Sequence, residues 1–409
     1  MKGRYRQTLI NKNFRFLFYS RTISRFGDGI HEIAMILLVY NLTGSAAMVG
    51  IVVISSMLPN ILFLPFGGVF ADRLDRKKIM ILCDLGRALT VLLIPLLYWT
   101  VGIEVWVICV IAFVTSMFES FFVPCEFACV PDLVGLPNVQ SASALFSMAG
   151  RMIGFIGLGI GGAIVGFIGP GVALCVDSAT FFLSALFISF LPKLLPHKKE
   201  ERKFFHELLD GLKFVRGNGL ILSTLVLCAV ANFAFAPIII LLPVYNAEVI
   251  HQPDAVYGYL MAIYSLGMAL GFLRAGDKDI RGKNVLINGG LMVTALFFLF
   301  PAAGLPSPAN LVCAIAALLI GGFFCGMLNV PIMTILQKTP PSEYRGRVGS
   351  VVNVVLLSMM PISLGIAGPL IDRIGPLSML AISLALMLSV MPYNIKSELY
   401  RYDEKEMEL

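Results

Sequence analysis

Four ionisable residues, Arg21, Arg25, Asp28 and Glu32, follow one another at intervals of 4, 3 and 4 inside an otherwise apolar stretch. In a helix that spacing puts all four on one face. Counted from Phe14, Arg21 lies about 10 Å along such a helix, Asp28 about 21 Å and Glu32 about 27 Å. A carboxylate among guanidinium groups can hold an ion pair in one state and take a proton in another, so this stripe offers proton uptake and release. Asp28 is the first choice for the titrating group and Glu32 the second. The alternative is a static Arg25–Asp28 pair that fixes helix packing. Arg151 and Glu119 lie at similar depth in two further apolar runs, where they can pair. Asp84, Arg87 and Glu126 are further charges within such runs; Asp84 and Arg87 read as structural, and His31, off the stripe, as a packing residue.

The runs themselves decide the class. Of 409 residues 58% are hydrophobic and 14% charged, with a mean hydropathy of +0.86; a soluble domain has roughly 45–50% and 25%. A soluble globular enzyme is excluded. A bilayer span needs about 20 mostly apolar residues, and the runs fall near 14–40, 46–70, 79–99, 103–131, 139–167, 171–192, 220–248, 255–274, 284–303, 309–338, 347–371 and 376–395. The expected fold is an all-α membrane protein of twelve transmembrane helices. The basic start is followed by a run holding five ionisable residues, which reads as a retained first span rather than a signal peptide. With twelve spans, 26 of the 31 Lys and Arg residues lie on the side shared by the two ends and the central connection. The positive-inside rule places that side, with both termini, in the cytoplasm of a bacterial cell membrane. The eight cysteines lie in or beside the runs, so neither a disulfide framework nor a metal site is expected, and no cofactor.

An internal match divides the chain. Gly159–Gly162 leading to Gly169–Pro170 aligns with Gly365–Gly368 leading to Gly375–Pro376, 206 residues on, and Val123–Pro124 aligns with Val330–Pro331. Halves of six spans each run the same way through the membrane, the parallel-repeat arrangement of many secondary transporters. The expected organisation is a six-helix bundle over 1–192, a cytoplasmic linker over 193–219 and a second six-helix bundle over 220–409. In the linker, Phe204, Phe205, Leu208, Leu209 and Leu212 recur at helical spacing, predicting a short amphipathic helix on the cytoplasmic surface.

Between the second and third runs stands Gly67-Gly68-Val-Phe-Ala-Asp72-Arg73-Leu-Asp75-Arg76-Lys77-Lys78. It resembles the signature loop of the major facilitator superfamily, G-x-x-x-D-R-x-G-R-K, with Asp75 in place of a glycine. The resemblance implies that Gly68, Asp72, Arg73, Arg76 and Lys77 form a gating loop, with Asp72 bracing the cytoplasmic end of the eleventh helix and Arg76 an acid at the end of the fourth, for which Asp132 is the candidate. Ser24–Ile30, Val39–Ser45, Pro131–Val134, Asp210–Val215 and Arg345–Val348 look like the drug:proton antiporter subfamily of macrolide efflux proteins and enterobactin-type siderophore exporters. That resemblance implies export of an amphipathic compound by alternating access, coupled to protons. Leu158 stands where the antiporter pattern of the fifth helix has proline.

The second half is almost free of charge within its runs. Its polar and aromatic candidates for a substrate cavity are Asn232, Phe235, Tyr264, Asn329 and Asn353. The first half then holds the titrating groups and the second offers apolar and stacking surface. With Arg21, Arg25 and Arg151 counted together, the cavity is expected to be net positive and to suit an anionic or catechol-bearing amphiphile as well as a drug-like cation. An uptake porter or a lipid or lysolipid transporter is the alternative on the same scaffold. A membrane-embedded enzyme lacks a nucleophile, metal cluster or phosphate loop here. The expected partners are a small-molecule substrate, protons and the lipid bilayer, without nucleic acid, for a monomeric chain.

Overall fold

The computed structural model describes residues 10–135, 138–194, 204–276 and 280–403. These residues are helical almost throughout, and among them nine helices are long and apolar enough to cross a membrane. The chain forms two compact units, one of 1–44 and 51–200, the other of 45–50 and 201–409.

In the first unit, α1 (Lys12–Thr43) begins at Asn11, whose side chain accepts from the N–H groups of Asn13 and Phe14, and ends at Gly44 in the left-handed conformation. With Arg21, Arg25, Asp28 and Glu32 in its middle, α1 is not among the nine apolar helices. It is followed by α2 (Ala46–Arg73), α3 (Arg76–Thr100), capped by Asp75, α4 (Val105–Val134) and α5 (Val139–Ser189). In lipid the hydrophobic effect does not press helices together, so close approach of small residues and polar contacts must. Gly157 and Gly161 of α5 do this against α1: a Cβ on either would stand 2.9 Å from the Phe26 carbonyl or the Ile30 Cα. One end of the unit is closed by Phe14, Leu17, Met80, Phe122, Cys125 and Ile188, all fully buried.

The second unit holds α6 (Phe204–Gly217), α7 (Gly219–Phe235), α8 (Ile238–Tyr245), a π-turn at Asn246–Ile250, α9 (Asp254–Gly276), α10 (Gly282–Phe297), α11 (Leu299–Ala303), α12 (Ala309–Lys338), α13 (Ser342–Lys396) and α14 (Glu398–Arg401). Gly267 and Gly271 of α9 face Gly322 and Gly326 of α12, each of the four abutting backbone of the other helix. The linker helix α6 docks on the start of α13: Asp210 pairs with Arg347 at 3.5 Å, and the Phe214 and Tyr344 rings stack at 4.4 Å. Part of this helix therefore meets protein rather than the membrane surface alone. The first turn of α2 also belongs to this unit, where Asp372 caps it, accepting from Ser45 Oγ (2.6 Å) and the backbone N–H groups of Ala46 (2.7 Å) and Ala47 (3.1 Å). Such a carboxylate satisfies donors that the helix leaves open.

Two of the long helices are broken at matching places. Gly169 in α5 has φ 79° and ψ 160°, and Gly375 in α13 has φ 81° and ψ 165°. Only glycine enters that region readily. Proline follows in each case, and the same break recurs 206 residues on.

Candidate functional site

The α1 stripe meets charges from three other helices. Asp28 lies between two arginines: Arg87 Nη2 donates to its Oδ1 at 2.9 Å, and Arg25 Nη1 stands 3.5 Å from its Oδ2. Arg25 also stands 3.7 Å from Glu119 Oε1, so one guanidinium bridges two carboxylates. Arg21 pairs with Glu126 at 3.2 Å. Arg87, 2% exposed, lies 3.9 Å above the Phe181 ring and 3.7 Å from Asp84 Oδ1. Asp84 in turn accepts from Ser184 Oγ, whose oxygen lies 2.8 Å from Ser20 Oγ. His31 Nδ1 stands 2.9 Å from Asp177 Oδ2. Glu32 sits near His31 and Asp28, with no ion pair among the described residues.

Glu119 pairs with Arg25; the side chain of Arg151, the partner its depth suggests, lies outside the described residues. Two other readings of the sequence change here. Arg87 is not a peripheral structural residue: it is the closest partner of Asp28. Nor is the cluster net positive. Six carboxylates, those of Asp28, Glu32, Asp84, Glu119, Glu126 and Asp177, gather with Arg21, Arg25, Arg87 and His31. The acids outnumber the bases even with Arg151 added, because α3, α4 and α5 each bring acids to the two arginines of α1. Arg21 and Arg25, two of the three arginines on which a net positive cavity rests, each face an acid. Asp177 joins the cluster as a residue outside the α1 stripe; a lone acid in the apolar run Leu174-Cys-Val-Asp-Ser-Ala is its signal in the sequence.

In the gating loop Arg76 is buried and forks across three acceptors. Its Nε donates to Ala71 O at 2.9 Å, and its Nη1 to Ala128 O at 3.1 Å and Asp132 Oδ2 at 2.7 Å. Lys77 Nζ donates to Leu191 O at 2.6 Å, and Arg73 is exposed. The Asp72 side chain lies outside the described residues. The close approach in this stretch falls at Gly67, where a Cβ would strike the Ser120 carbonyl of α4; Gly68 faces open space. Replacing Arg76 with Ala is expected to cost about 1–3 kcal/mol by orphaning two carbonyls as well as the acid. Asp132→Asn, which keeps the carbonyl bonds, should lower the melting temperature in detergent less. Equal losses would show that only the ion pair counts.

In the second unit Asn232, Phe235 and Asn329 come together around a cavity of about 210 Å³, with Cys228, Cys325 and Met292 in its wall. Pockets for whole drug-sized ligands run from about 300 Å³, so this one suits part of a ligand. Asn232 donates to the Cys228 carbonyl at 2.9 Å, leaving its amide oxygen available. Tyr264 does not line the cavity but lies against Cys325, which does. Asn353 is exposed on α13 and apart from it.

Long apolar helices in two units, one with a buried charge network and one with a small mixed cavity, define a multi-pass membrane transporter. Residues 17–365 match the family model described as Major Facilitator Superfamily, and the chain belongs to that family. It is 27% identical to "Multidrug efflux pump Tap" of Mycolicibacterium fortuitum, over 88% of this chain and 90% of that one. It is 25% identical to "Macrolide efflux protein A" of Streptococcus pyogenes, over 89% and 91%. The crystal structure of nucleoside transporter NupG superimposes with a TM-score of 0.70 at 14% identity, covering 95% of this chain and 99% of that one, a likeness of fold. These relatives are transporters, not enzymes.

Proposed function

We propose that the protein is a proton-coupled exporter of a small amphipathic compound, drug-like or macrolide-like, working by alternating access. In this reading twelve helices cross the bacterial cell membrane with both termini in the cytoplasm, 1–192 and 220–409 are its two bundles, 193–219 joins them, and the monomer is the working unit. The observation that carries coupling is Arg25, 36% open, shared between Asp28 and Glu119. A guanidinium that changes partner frees one carboxylate for a proton as it neutralises the other, and charges at membrane depth mark ion pathways. The efflux relatives support the direction of transport. The excess of acids favours a cationic substrate over a siderophore. Arg76 and its partners on α2 and α4 are the inner latch, with Asp72, Arg73 and Lys77 beside it, and Asn232, Phe235 and Asn329 receive part of the substrate.

The test is transport into inverted vesicles under an imposed pH gradient, with one macrolide, one lipophilic cation and one catecholate siderophore. Accumulation of the macrolide or the cation that collapses with a protonophore is the expected result. Accumulation of the siderophore alone would restore the anionic reading. If none accumulates although the protein is folded, uptake or lipid transport on this scaffold takes the place of export.

A further inference from the structure

His31 and Asp177 lie beside the α1 stripe, and the scheme above makes no use of them. Their ion pair, at 2.9 Å, is asymmetric: the Asp177 side chain is 0% exposed and the His31 side chain 23%. The enclosure is specific to the pair. Gly27, one turn before His31, has no Cβ, and one placed there would fall on Thr180 Oγ1 and Asp177 Oδ1. Thr180 Oγ1 itself lies 3.4 Å from that carboxylate oxygen. An apolar pair of similar volume would hold α1 to α5 at least as well. What histidine adds is a charge that changes between about pH 5 and 8.

The surroundings single this pair out within the network. The charged groups facing it are Asp28 and Glu32 on α1 and Arg87 on α3. A proton arriving at Asp28 must displace Arg25 or Arg87. One arriving at His31 displaces nothing, because its partner is already an anion. Nδ1 is the ring nitrogen that faces Asp177, which leaves Nε2 for exchange. The pair is neutral when Nε2 carries a proton and carries one negative charge when it does not, and of its two members Asp177 is the enclosed one and His31 the partly open one.

The geometry points to the His31–Asp177 pair as a second proton-carrying site of the transport cycle, in which one proton is exchanged at His31 Nε2 and Asp177 is the fixed counter-ion that positions the ring. This rests on the proton-coupled reading above. The test measures stoichiometry rather than rate. Purified protein in liposomes, with the membrane potential clamped by potassium and valinomycin, is given ethidium, or whichever member of the panel the wild type moves. The substrate ratio at zero net flux is recorded against the imposed pH gradient. Each proton exchanged per substrate multiplies that ratio by about ten for every pH unit. His31→Gln, which keeps a donor for Asp177 but cannot titrate, is expected to lower the logarithmic slope by one, and Asp177→Asn to do the same. Structural damage alone slows flux and leaves the slope unchanged. A slope kept at the wild-type value in either folded variant overturns the site, while a wild-type slope of zero overturns proton coupling itself.

Discussion

Replacing Asp28 with Asn is expected to lower accumulation driven by a gradient of one pH unit at least about tenfold, in protein that still inserts in the membrane and elutes from size exclusion like the wild type. Asp28 is the point at which three helices share charge: it receives Arg87 from α3 at 2.9 Å and Arg25 from its own helix at 3.5 Å, and Arg25 also reaches Glu119 of α4. An amide keeps the shape and loses both the titratable group and the anion. Arg25 then has Glu119 as its sole acidic partner among these groups and no reason to change place, so the step that links this one proton to substrate is lost. Arg87, 2% exposed, keeps Asp84 and the Phe181 face, which is why the fold should survive. Asp28→Glu, which restores charge at a longer reach, should recover part of the slope. Accumulation by Asp28→Asn equal to wild type would remove Asp28 from the coupling scheme. With His31 carrying a separate proton, the Asp28→Asn/His31→Gln double variant should show a flat response to the gradient.

The features legible in the sequence are those written in local periods. The α1 stripe is readable because helical spacing alone puts Arg21, Arg25, Asp28 and Glu32 on one face. The breaks in α5 and α13 are readable because Gly169–Pro170 and Gly375–Pro376 repeat in register. Partnerships across the fold are not written that way. Arg87 reaches Asp28 from 59 residues away, and nothing in the spacing of either helix tells which face of α3 turns toward α1. The balance of the cluster is not written that way either: α1 alone carries two arginines and two carboxylates, while the third dimension adds Asp84 and Arg87 from α3, Glu119 and Glu126 from α4 and Asp177 from α5. In the second unit Asn232, Phe235 and Asn329 share a cavity that Asn353 does not, a distinction set by how α7, α12 and α13 are rotated. In the gating loop Gly67, not its neighbour Gly68, is the glycine that touches α4, a difference of about 100° of helix rotation.

Gly27→Ala sets two opposite expectations against each other, and packing should win. Alanine is favoured over glycine inside a helix by about 1 kcal/mol, so propensity alone predicts a more stable protein. A Cβ at Gly27, however, falls on Thr180 Oγ1 and Asp177 Oδ1. Neither atom sits at the end of a long flexible chain, and the other oxygen of Asp177 already has His31 Nδ1 at 2.9 Å. Either α1 and α5 move apart, which costs about 1–3 kcal/mol of overpacking, or Asp177 turns away and leaves a buried ion pair broken, at about 3–5 kcal/mol. Separation would also pull α1 from Gly157 and Gly161, whose contacts with Phe26 and Ile30 depend on the same close approach. The expected result is a net loss of about 2 kcal/mol or more, read as a melting temperature in detergent several degrees below wild type. Gly68→Ala is the matched control: it makes the same gain in propensity with nothing within 4 Å of its Cβ, so it should melt at or slightly above the wild-type temperature. If Gly27→Ala behaved like Gly68→Ala, α1 and α5 would have slack at this level, and the tight seat that the His31–Asp177 pair requires would not exist.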